Sequence, residues 1–142
     1  VTGDSLIAGG RVIFDATDNR AARRVLNSAS VKKGVPFVYG GINGWEGMAA
    51  TFVPGRTPCL SCLFPAMAEA VAAEPPPALG PTAGLVASLQ CLDTLRLLIG
   101  LAPRLAGRLM RFSGATMEFH VLALERNPHC PVCSRRQRPS SP

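Results

Sequence analysis

The 142-residue sequence predicts one α/β domain: a mixed sheet with flanking helices, tied together by a four-cysteine zinc knuckle pair. Three observations carry this. Short apolar runs alternate with helical periodicity in the first part of the chain. A long leucine-periodic helix then leads into a hairpin. Two C-x-x-C pairs, Cys59-Leu60-Ser61-Cys62 and Cys130-Pro131-Val132-Cys133, lie 67 residues apart (63–129). Each pair can grip one metal ion from a tight turn, and two pairs supply a closed tetrahedral all-sulfur site. Pro58 and Pro131 stiffen the turns. The alternatives are four unrelated buried thiols or two redox pairs, but a redox dithiol normally occurs once, beside a βαβ unit. The expected role of the metal is structural.

Composition bounds the rest. Hydrophobic residues make up 47% and charged residues 17%, which describes a chain with a real core and not a disordered one. No apolar run approaches the ~20 residues of a membrane span, and no signal peptide opens the chain. A reducing, cytoplasmic setting is expected, with zinc in place of disulfides. The net charge of +6 raises nucleic acid as a partner. However, the basic residues gather in 20–33 and in the tail 134–142, without interleaved aromatics, so no nucleic-acid partner is expected. The chain opens at Val1 and reaches a strand almost at once, which points to a fragment of a longer protein.

Taken in order, residues 11–16 form a short apolar run reaching an acidic residue, Asp15, as in a buried parallel strand. Thr17, Asp18 and Asn19 are all good helix N-caps. Residues 20–33 form a helix with Ala22, Val25, Leu26 and Ala29 on its apolar face, closed by Gly34. A second strand covers 35–39 and stops before Gly40-Gly41-Ile42-Asn43-Gly44; a third covers 47–53. Residues 66–73 read as a weak helix or a loop, and 74–77 as an extended, exposed crossover. The long helix starts at Pro81-Thr82, with Thr82 able to cap, and Gly100 stops it. Leu85, Leu89, Leu92 and Leu95 mark its face, and Val86, Cys91 and Ile99 widen it, so this helix is expected to be mostly buried with Cys91 in the core. Strands 108–113 and 117–124 make the hairpin, with Met117, Phe119 and Val121 on one face and His120 on the other. Residues 134–142 read as a frayed, disordered polar tail.

Several segments together resemble the ThiF/MoeB/HesA family of adenylating enzymes, relatives of the ubiquitin-activating enzymes. They are Asp15-Ala16-Thr17-Asp18-Asn19 with Arg23, the strand end 39–41, Trp45-Glu46-Gly47, Pro58-Cys59-Leu60-Ser61-Cys62-Leu63-Phe64-Pro65, Leu85-Val86-Ala87-Ser88-Leu89-Gln90, and Asn127-Pro128-His129-Cys130-Pro131-Val132-Cys133. The resemblance runs from about residue 6 to 133 and implies the C-terminal half of a Rossmann-like ThiF/MoeB fold. The family's glycine-rich phosphate loop comes earlier in its chain, and Gly9-Gly10 here precedes a strand instead of following one. The implied domain is therefore residues 1–133, lacking the N-terminal ATP-binding half.

The resemblance also implies chemistry. Members adenylate the C-terminal glycine of a ubiquitin-like carrier with Mg-ATP, commonly for sulfur transfer in molybdopterin or thiamine synthesis, and are commonly homodimers. Asp18 matches the aspartate at the Mg-ATP site, a hard oxygen donor at a strand's C-terminal end. A plain N-cap is the competing role for Asp18, and Thr17 could take that role instead. Asn19 and Arg23 would line or brace the same crevice. Cys59, Cys62, Cys130 and Cys133 match the zinc ligands. Two departures stand out: residues 70–80 hold no cysteine for a covalent intermediate, and Gly44 stands where some relatives carry an arginine. The expected function is thus part of an adenylyltransferase for a Gly-Gly-ended sulfur carrier, inactive as this stretch alone. The competing reading is a non-catalytic, zinc-stabilised carrier-binding module.

Overall fold

The computed structural model describes residues 9–65 and 76–134. The weak-helix segment 66–73, residues 74 and 75 of the 74–77 crossover and nearly all of the 134–142 tail lie outside the described residues. A five-stranded sheet runs in the order β1 (Ile13–Phe14), β2 (Phe37–Asn43), β3 (Glu46–Phe52), β4 (Arg108–Ser113), β5 (Glu118–Ala123). β1 is parallel to β2 and every later pair is antiparallel, so the sheet is mixed. Helix α1 (Arg20–Lys33) makes the β1–β2 crossover, α2 (Leu60–Leu63) carries the first cysteine pair, and α3 (Gly80–Leu98) precedes β4.

The alternation of β2 sets the two layers. Phe37 and Tyr39 turn to the α1 side, joining Ile13, Ala29, Ala50, Phe52, Leu60 and Leu109 in the main core. Gly40, the next residue, turns to α3, where an added Cβ would collide with the Gln90 amide. Gly47 meets the same helix: a Cβ there would lie 2.7 Å from Val86.

This explains one correction. The second strand does not stop at Tyr39 but runs through Gly40 and Gly41 to Asn43, paired with β3 throughout. These glycines were expected to end the strand; Gly40 instead admits a side chain from the facing helix. The first strand is shorter than 11–16, with ladder pairs only at Ile13 and Phe14.

The long helix is the second correction. Its buried residues are Thr82, Val86, Gln90 and Asp93, whereas Leu92, Leu95 and Ile99 are exposed. It begins at Gly80 with Leu79 as the cap residue, and Thr82 is buried instead of capping. Cys91 is exposed, not core. The inward Gln90 and Asp93 side chains both find hydrogen-bond partners. Asp93 accepts from Thr51 Oγ1 at 2.7 Å and from the backbone N–H groups of Arg104 and Leu105 at 2.8 and 2.9 Å. β5 is exposed along its whole length, although Phe119 stacks on Phe112 at 4.7 Å between ring centroids. Among the described residues, no helix is long and apolar enough to cross a membrane.

Candidate functional site

The segment after β1 is built around Asp15, which sequence reasoning did not select. Its side chain is fully buried and pairs with Arg23 Nε at 2.8 Å. The other carboxylate oxygen accepts from the Thr17 N–H at 3.0 Å and the Thr17 hydroxyl at 2.7 Å. Arg23 Nη2 donates to the carbonyls of Thr17 and Gly40 at 2.8 and 2.9 Å. The guanidinium also lies over the Tyr39 ring, 5.3 Å from its centroid. Burial raises the Tyr39 pKa, partly opposed by that guanidinium. From α3, Gln90 Nε2 donates to the Asp15 and Val38 carbonyls at 2.9 and 3.1 Å, stitching β1 to β2.

On this braced loop Asp18 is exposed. One of its oxygens accepts from Asn19 Nδ2 at 3.3 Å. Asn19 is the N-cap of α1, its Oδ1 accepting from the Ala22 N–H at 2.7 Å. The cap is therefore neither Asp18 nor Thr17, and the Asp18 carboxylate is not tied up in capping. Arg23 turns toward Asp15. One signal for Asp15 was available: an aspartate closing an apolar run is rarely buried without a cation, and an arginine follows eight residues later.

The four cysteines come together as the spacing predicts, although 67 residues separate the two pairs. Their sulfurs all lie within 4.8 Å of one another, with Cys59–Cys62 at 4.0 Å, Cys59–Cys130 at 3.7 Å and Cys62–Cys133 at 3.4 Å. A tetrahedral ion with metal–sulfur bonds of about 2.3 Å spaces its ligands by about 3.8 Å, so the donor set and geometry fit zinc. Cys59, Cys130 and Cys133 are buried and Cys62 is half-buried, with Val31 of α1 and Val132 against them. Burial pushes the Cys59 and Cys133 thiols up. Cys130 is lowered: burial opposes this, but N–H groups of Cys133 and Val132 and the neighbouring thiols donate to its sulfur. A divalent cation would reverse this spread by drawing all four groups to thiolates.

α1 touches both clusters. Its cap sits beside Asp18, and Asn27, about 12 Å further along the axis, contacts the first knuckle through the Leu60 N–H at 3.0 Å.

Comparison with known proteins follows the same lines. The chain is 37% identical over 132 residues to the SAMP-activating enzyme E1 of Haloferax volcanii, covering 90% of this chain and 48% of that protein. It is 34% identical over 137 residues to the sulfur carrier protein adenylyltransferase of Thermus thermophilus, covering 86% and 48%. The chain thus spans about half the length of the curated relatives it matches. Among solved structures, E. coli MccB with ATP superposes with a TM-score of 0.70 at 17% identity, covering 87% of this chain and 39% of that one. At that identity the likeness speaks to the fold alone. The ThiF family profile matches residues 2–132, and with a mixed sheet and a four-cysteine cluster of the expected kind the chain belongs to the ThiF family.

Proposed function

We propose that residues 1–133 are the C-terminal part of an adenylating domain that activates the C-terminal glycine of a ubiquitin-like sulfur-carrier protein with Mg-ATP, and that 134–142 is a polar basic tail outside it. The observation that carries this reading is membership of the ThiF family combined with an exposed Asp18 on a loop held from beneath by the Asp15–Arg23 pair. Relatives named as sulfur-carrier and SAMP-activating enzymes support the carrier class.

In the reaction, a carboxylate oxygen of the carrier's terminal glycine attacks the α-phosphorus of ATP. The bond to the bridging oxygen breaks, pyrophosphate leaves with that electron pair, and an acyl-adenylate results. Magnesium, when bound, neutralises phosphate charge. Asp18 would hold it as a hard oxygen ligand, Asn19 orients that carboxylate through its amide, and Arg23 keeps the loop in place. Cys59, Cys62, Cys130 and Cys133 would hold a structural zinc. The exposed leucines of α3 offer a surface for a homodimer. The setting is cytoplasmic, and the pathway is sulfur transfer of the molybdopterin or thiamine type.

Carrier-dependent ATP–pyrophosphate exchange tests this. The full-length protein is expected to exchange label with a Gly-Gly-ended carrier and to lose about 100-fold or more on Asp18→Ala. This chain alone is expected to be silent. Carrier binding without exchange in the full-length protein would favour the non-catalytic binding module instead.

A further inference from the structure

Asn27 sits in the interior of α1, is 1% exposed, and directs its whole side chain at one target. Its Oδ1 accepts from the Leu60 N–H at 3.0 Å. Its Nδ2 donates to the Ser61 hydroxyl at 3.0 Å and lies 3.8 Å from the Cys59 sulfur. Leu60 and Ser61 are the two residues between Cys59 and Cys62. Neither helix propensity nor core packing favours asparagine here. It is a mediocre residue for a helix interior, and a buried amide is costly unless both ends are satisfied. The knuckle satisfies both ends.

We propose that Asn27 is a positioning residue of the four-thiol metal centre: from α1 it fixes the backbone between Cys59 and Cys62 and offers an N–H to the Cys59 sulfur. The inference rests on reading the cysteine cluster as a metal site. An N–H donor beside a thiolate withdraws charge from sulfur, so it lowers the energy of the sulfur lone pairs and slows their protonation and release. Asn27 thus belongs to the metal centre although it lies 32 residues before the first ligand.

Asn27→Asp is the informative variant. It keeps the shape and the acceptor for Leu60, and Ser61 can rotate its hydroxyl to donate. What disappears is the N–H toward sulfur, replaced by a carboxylate oxygen. In the full chain loaded with cobalt(II), the sulfur-to-metal charge-transfer band is expected to move to longer wavelength. Zinc release to a chromogenic chelator is expected to quicken by about 10-fold to 100-fold. Ser61→Ala provides an independent arm should the aspartate variant fail to fold. It leaves the amide only sulfur to donate to, so the band is expected at shorter wavelength. Cobalt bound normally with an unmoved band in either folded variant overturns the inference while leaving the metal site intact. Failure of the unsubstituted chain to bind cobalt or zinc overturns both.

Discussion

The sharpest contrast at the scale of single residues is between two aspartates three positions apart. Asp15 is buried against Arg23 with three hydrogen-bond donors on its carboxylate, whereas Asp18 is exposed. Removing one member of a buried ion pair strands the other, at a cost of about 3–5 kcal/mol. Asp15→Ala is therefore expected to lower the unfolding free energy from urea titration by that order. Asp18→Ala, which uncovers nothing buried, is expected to stay within about 0.5 kcal/mol of the parent. Equal losses in the two urea curves would mean that Asp18 is part of the scaffold. The D-x-T-D-N pattern does not reveal this division of labour, because both aspartates look alike until one knows which end of the loop the arginine reaches.

At the scale of elements, what was legible is what depends on local chemistry. The period and closing glycine of α1 are local, and Gly34 closes it in a left-handed conformation at φ 76°. The two cysteine knuckles are local as well. What was illegible is what depends on the facing layer. Leu92 and Leu95 look like core and are exposed, whereas Gln90 and Asp93 look like surface and are buried, because the segments facing α3 present backbone partners there: the Asp15 and Val38 carbonyls for Gln90, and the Arg104 and Leu105 N–H groups of the α3–β4 connection for Asp93. Gly40 ended the expected strand for the same reason: its missing Cβ is space for Gln90. Gly40→Ala should displace the Gln90 amide from two buried carbonyls and cost about 1–3 kcal/mol. Because Gln90→Ala loses the same two bonds and vacates the space, the double variant is expected to be scarcely worse than either single one. Additive losses in the thermal unfolding of the set would show that the two residues act separately.

Across the whole molecule, the cysteine cluster joins the segment after β3 to the segment after β5, closing a loop whose 67 intervening residues include α3 and the hairpin. A cross-link over such a loop restricts the unfolded chain by about 4 kcal/mol on loop-entropy grounds. The main core, centred on Phe37, Tyr39 and Phe52, is a separate apolar group from the one around the cysteines. Losing the metal is therefore expected to weaken the fold without erasing it. A strong zinc chelator should lower the thermal midpoint while leaving the far-ultraviolet dichroism of the folded baseline largely intact. Cys130→Ser should lower the midpoint without chelator and leave little further for the chelator to remove. A midpoint that ignores both treatments would mean that the thiols pack as ordinary core residues. Complete loss of helical signal on chelation would mean that α1, which touches the knuckle through Asn27 and Val31, depends on the metal for its own stability.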